Sequence, residues 1–151
     1  MTDTANARES AWAALETAIK TVSGIEIVRR HEPRVIASNQ FVGVSYMGDE
    51  KIATTIGGNV MVWARFRVRC YWSTQGLDPG ALDVIEKQIW DTDRAIQAAI
   101  RADSTLGGNV TDLDIDDSSQ TTYLELADQV MFRVLTINVD LAEFEAESIA
   151  P

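Results

Sequence analysis

The chain has 151 residues, 46% of them hydrophobic and 24% charged, with a net charge of −10, proportions that suit a soluble globular chain with an adequate core. Its lone cysteine, Cys70, excludes an internal disulfide framework, and with a single histidine a His/Cys zinc cluster is excluded as well. No apolar run approaches the roughly 20 residues a membrane helix needs, and the polar residues 1–10 do not read as a secretory signal.

Ala11, Trp12, Leu15, Ile19 and Val22 recur at helical spacing and predict a first helix over 4–22, with Gly24 as its stop. Short strands are expected at 25–29 and 34–37, on either side of His31, Glu32 and Pro33, and a further strand at 41–46. Positions 47–58 are polar and end in Gly57 and Gly58, so they read as a loop. The most informative stretch follows, at 59–72. Val60, Val62, Ala64, Phe66, Val68, Cys70 and Trp72 share one face, and Met61, Trp63, Arg65, Arg67, Arg69 and Tyr71 share the other. That alternation marks a strand with one face in a core. Strand, loop and strand predict an antiparallel hairpin with a long tip. Cys70, on the apolar face, reads as a small core residue.

The turn residues at 74–80 precede a second helix over 81–102, with Leu82, Ile85, Ile89, Ile96 and Ile100 as its apolar stripe. Asp93 falls awkwardly close to that stripe. Leu106, Gly107, Gly108 and Asn109 end the helix region and echo Ile56, Gly57, Gly58 and Asn59; both read as glycine turns feeding a strand. A short strand is expected at 110–115, an irregular polar stretch at 116–122 and a last strand at 129–141. The acidic residues 142–151 are expected to form a flexible tail, frayed or docked on a partner. Segregated helices and strands predict the α+β class: an antiparallel (mixed) sheet with two helices packed on one face and a long central hairpin, as one domain over 1–151.

The chain holds no GxxxxGK[ST] phosphate loop, no GxGxxG turn and no GxSxG elbow. His31, beside Arg29, Arg30 and Glu32, reads as a surface histidine rather than a general base. Asp112, Asp114, Asp116 and Asp117 fail as a calcium loop, because the required glycine and glutamate positions hold Asp117 and Tyr123. No catalytic residue, metal ligand or cofactor is expected. Asp112, Asp114 and Asp116 instead share one face of the expected strand, and Leu113 and Ile115 the other.

The chain thus carries an arginine-faced strand and an aspartate-faced one. Residues 1–75 hold nine Lys+Arg and seven Asp+Glu, a balance of +2; residues 76–151 hold four and sixteen, a balance of −12. Arginine outnumbers lysine ten to three, which favours planar, partly buried ion pairs. Arg65, Arg67 and Arg69 with Asp112, Asp114 and Asp116 form a candidate subunit interface. The two faces can meet within one sheet, or across a subunit boundary in a heterologous contact that closes into a ring.

The layout resembles that of the tail terminator proteins of long-tailed bacteriophages, also called tail completion or minor tail proteins. The resemblance rests on the opening helix over 8–22, the central hairpin over 41–72 with its long tip, and the helix after Leu77, Asp78, Pro79 and Gly80. It rests above all on the close of the chain: Ile100-Arg101, then Leu106-Gly107-Gly108-Asn109-Val110, an acidic strand, and the strand over 130–139. It implies a structural virion protein with no catalytic residues. Such a protein forms a homo-oligomeric, hexameric ring at the head-proximal end of the tail. The ring ends polymerisation of the tail tube protein and joins the tail to the head–tail connector or head-closure protein. Assembly takes place in the host cytoplasm, and DNA passes through the lumen without specific binding. The acidic half is then the candidate lining, since acidic walls do not hold phosphates. Met47, Ile52 and Ile56, apolar positions in the expected loop, are candidate contacts with a neighbour or the tail tube. Another phage neck, tail or head-closure component of related fold is the nearest alternative, and a small acidic α+β enzyme the more distant one.

Overall fold

The computed structural model describes residues 4–25, 27–31, 41–56, 59–116, 119–126 and 129–146. Its elements are helix α1 (Thr4–Lys20), strands β1 (Ile27–Arg29), β2 (Phe41–Ile56) and β3 (Asn59–Ser73), helix α2 (Pro79–Arg101), and strands β4 (Asp112–Ile115), β5 (Gln120–Leu126) and β6 (Gln129–Ala146). The strands make one sheet in the order β1-β2-β3-β6-β4, with β5 also on β6. β1 runs parallel to β2, and the other pairs are antiparallel. This is the expected α+β architecture, a mixed sheet with two helices on one face.

The apolar spacings act as read. α1 buries Ala11, Leu15 and Ile19, and α2 buries Ile85, Ile89, Ile96 and Ile100. They close on Val42, Val44, Phe66, Val68, Cys70, Ile137, Val139 and Leu141 from one sheet face. α2 starts at Pro79, two residues before its expected start: Asp78 accepts a hydrogen bond from the Ala81 N–H at 2.8 Å, with Pro79 at the first helical position. Asp93 is accommodated by two donors, Gln97 Nε2 at 2.7 Å and Ser119 Oγ at 2.8 Å. It thereby ties α2 to the connection between β4 and β5. Of the expected stripe, only Leu82 stays exposed.

Four expectations are corrected. Residues 47–56 are not a loop but the second half of β2. Met47 is a β-bulge between the pairs Tyr46–Phe66 and Gly48–Arg65, and the break it makes in the alternation disguises the strand. The hairpin therefore has no long tip, because Ile56 pairs with Asn59 and only positions 57 and 58 connect them. The stretch from Gln120 is strand β5, not irregular chain. β6 continues to Ala146, paired with Asn59, so the first part of the expected tail is ladder. The expected strand at 34–37, the Gly57-Gly58 turn, Asp117 and residues 147–151 lie outside the described residues.

Candidate interaction face

The helix-free face of the sheet is built by cross-strand register. Directly opposed residues of an antiparallel pair point the same way, so the ladder sorts this face into rows. One row runs Glu50, Trp63, Ala142, Asp112; the next Gly48, Arg65, Asp140, Asp114; then Ser45, Arg67, Asn138; then Gly43, Arg69, Thr136, Gln120; then Phe41, Tyr71, Val134, Thr122. The Asp116 N–H donates to the Asn138 carbonyl at 3.0 Å, which sets Asp116 at the end of the Arg67 row. The face is therefore acidic at one end, basic in the middle and apolar at the other. At the apolar end Tyr71, Phe132 and Val134 are buried with Phe41 against them. The Tyr71 and Phe132 rings meet edge-on at 6.0 Å.

The two predicted charged faces do share this side, but they are not neighbours. β6 lies between β3 and β4. The arginine strand meets β6 first, and Asp140, which the sequence reading does not single out, is the residue that answers Arg65. Arg65 Nε donates to Asp140 Oδ1 at 2.9 Å and its Nη2 to Oδ2 at 3.0 Å. Hydrogen bonding and charge from Asp140 hold the Arg65 guanidinium above its ordinary pKa, with smaller contributions from Asp116 and Glu50. The signal for Asp140 is in the alternation of β6: Asn138 and Asp140 interleave with the buried Ile137, Val139 and Leu141.

Beyond Arg65 the acidic end opens into a cleft of about 490 Å³, lined by Met47, Glu50, Trp63, Arg65, Asp114 and Asp140 among others. Met47, one of the three apolar contact candidates, is 48% exposed there. Ile52 and Ile56 belong to β2, and their side chains lie outside the described residues. Asp112 and Asp114 are exposed at the sheet edge. A second cleft of about 390 Å³ lies over Arg67, Arg69, Tyr71, Thr122, Leu124 and Val134.

Three further arginine clusters fasten the helices to the sheet. Arg8 of α1 pairs with Asp49 of β2, with Nε to Oδ1 at 3.1 Å. Arg30 grips Glu9 through two 2.7 Å bonds and Glu16 through another, with its guanidinium 4.3 Å above the Trp12 ring. Arg133 of β6 holds Glu86 of α2 at 2.7 and 3.1 Å, donates to the Thr122 carbonyl at 3.1 Å and stacks 4.2 Å from the Tyr123 ring.

His31 is exposed, its ring 6.0 Å from that of Phe41. Cys70 is fully buried, and burial pushes its thiol pKa far up, the opposite of an activated nucleophile. Among the described residues no three His, Cys, Asp or Glu gather as a metal site, and no helix is long and apolar enough to cross a membrane.

No protein-family model matches the sequence, and no curated protein matches it. Among solved structures, the chain is similar to one in the virion of a native gene transfer agent particle. The two are 13% identical, with 91% of each chain covered and a TM-score of 0.36. A likeness at that level establishes neither a common fold nor a common role.

Proposed function

We propose that this chain is a structural virion protein of a tailed phage or phage-derived particle. More specifically, it forms a ring at the head-proximal end of the tail, ends growth of the tail tube and joins the tail to the head connector. What supports the reading is the order of elements: an opening helix, a β2–β3 hairpin after the short β1, a helix behind the Asp78–Pro79 cap, a short acidic strand and, beyond β5, a long closing strand. That is the order the tail terminator resemblance rests on. The histidine and cysteine of the chain suit this non-enzymatic role, one exposed and the other buried with a raised pKa.

In this reading the helix-free face supplies the contacts between subunits. Arg65 is committed to Asp140 of its own chain, which leaves the exposed carboxylates of Asp112 and Asp114 and the Met47 bulge to meet a neighbour. The excess of acid over base in residues 76–151 lines the lumen and keeps passing DNA from adhering.

Electron microscopy of the purified chain, alone and mixed with tail tubes, tests this. Rings with a central channel, or a cap on one end of each tube together with halted tube growth, are expected. A chain that stays monomeric and leaves tube length unchanged would sink the proposal.

A further inference from the structure

Helix α2 turns Ile85, Ile89, Ile96 and Ile100 to the core and a second stripe to solvent. At 3.6 residues per turn, Asp83, Lys87, Trp90, Asp91 and Arg94 fall on the side away from those isoleucines, and all five are exposed. Trp90 is the conspicuous member. It is 58% exposed, with the Arg94 guanidinium 4.6 Å from its ring centroid. A large aromatic held on a rigid element beside an arginine has the composition of an interface hot spot.

The residues on this stripe run acid, base, aromatic, acid, base, and its two outer members, Asp83 and Arg94, are opposite in sign; Asp91, which an axis between positions 88 and 89 sets near the second copy's Glu86, gains no opposite charge from that arrangement. Around a two-fold axis between positions 88 and 89, Asp83 falls opposite the second copy's Arg94, and Lys87 opposite the second copy's Trp90. Symmetry makes each contact twice. A parallel arrangement would set Asp83 on Asp83 and Arg94 on Arg94, so the charges select the antiparallel one. Lysine against the face of tryptophan is a favourable cation–π contact.

We propose that α2 is a self-association surface whose partner is α2 of a second copy, packed antiparallel at the usual helix–helix spacing. Trp90 is covered by the partner's lysine, and Asp83 is paired with the partner's arginine. The contact uses the helix side of the fold and is independent of the ring reading. One helix stripe is a small interface, so the association is weak, with a Kd of about 10–100 μM.

Sedimentation equilibrium of the full chain over about 1 μM to 1 mM reads it directly. The average mass should double with concentration, whatever the dilute species is. Asp83→Arg and Arg94→Asp should each weaken the association at least about tenfold, and the two combined should restore it to within about threefold. Far-UV circular dichroism checks each fold, and Arg94→Gln replaces any reversal that loses helix. A mass independent of concentration overturns the proposal. So do single reversals without effect, or a double variant no tighter than the singles.

Discussion

Arg65 and Asp140 stand opposite each other in the β3–β6 ladder and join through two parallel hydrogen bonds of 2.9 and 3.0 Å. The pair locks the register of two long strands from the exposed side. Arg65 is about half exposed and Asp140 about a quarter, so its worth is that of a screened surface pair, roughly 0.5–1 kcal/mol. Arg65→Glu does more than delete it, because the new carboxylate sits among Asp140, Asp114 and Glu50. We expect a loss of about 1–2 kcal/mol in urea unfolding. Combining it with Asp140→Arg should recover most of that loss. A double variant as unstable as Arg65→Glu alone would refute the pairing.

Arg133 is largely covered, with 12% of its side chain exposed, while its partner Glu86 is half exposed, and one guanidinium serves a helix, a strand carbonyl and an aromatic ring. Arg133→Met should destabilise by about 1–2 kcal/mol, and Glu86→Gln by about 0.5 kcal/mol. Denaturant midpoints measure both; equal losses would mean that the helix contact carries the whole effect.

Gly43 sits where β1 passes β2. A Cβ there would come within 2.9 Å of the His31 carbonyl oxygen, a backbone atom two residues beyond the end of β1. Gly43→Ala should therefore cost about 1–3 kcal/mol. It should raise hydrogen exchange at 27–29 before the rest of the sheet. Unchanged stability would show that β1 yields freely.

Acid should weaken the fold. The hydrogen bond from Arg133 holds Glu86 below its ordinary 4.5, and the N–H groups of Thr105 and Gly107 hold Asp103 below 3.8. A carboxyl with a depressed folded pKa adds stability that is fully present above its unfolded value and is lost as pH falls through the folded one. Urea midpoints should be flat from pH 7 to about 5 and fall below about pH 4.5. Arg133→Met should remove the Glu86 share of that fall. A midpoint that rises toward pH 3 would contradict the assignment.

The Cys70 thiol, buried and with its pKa raised, should resist a disulfide reagent such as DTNB in the native state. Its labelling rate should follow global unfolding in urea. Rapid native labelling at pH 8 would show that the core opens locally at β3.

How much of this was legible beforehand follows from packing. β3 reads directly because one of its faces is wholly apolar, and the isoleucines of α2 recur at helical spacing with a cap in front. β5 hides because Gln120, Thr121 and Thr122 are polar on both faces, so alternation gives no contrast. The second half of β2 hides because two register shifts, at Met47 and between Ile52 and Ile56, break its period. The arginine and aspartate faces are each visible as patterns, but their relation is not. Which strand intervenes is decided by long-range pairing: the alternation of β6 puts Asp140 on its open face, but nothing local places β6 between the two charged strands.

The bulge at Met47 acts as a switch of frame. Before it, Tyr46 packs toward Trp12 and Phe66 on the helix side. After it, Asp49 stands opposite Ala64 on the helix side and reaches Arg8 of α1, while Glu50 stands opposite Trp63 on the helix-free side. With continuous pleating those last two residues would exchange sides, putting Glu50 under the helix and Asp49 in the open. One inserted position thus decides which carboxylate braces the helix and which is offered outward. Deleting Met47 would remove the bulge and keep that assignment, because Gly48 would then follow Tyr46 directly and still stand opposite Arg65; only Met47 kept and pleated regularly would invert it.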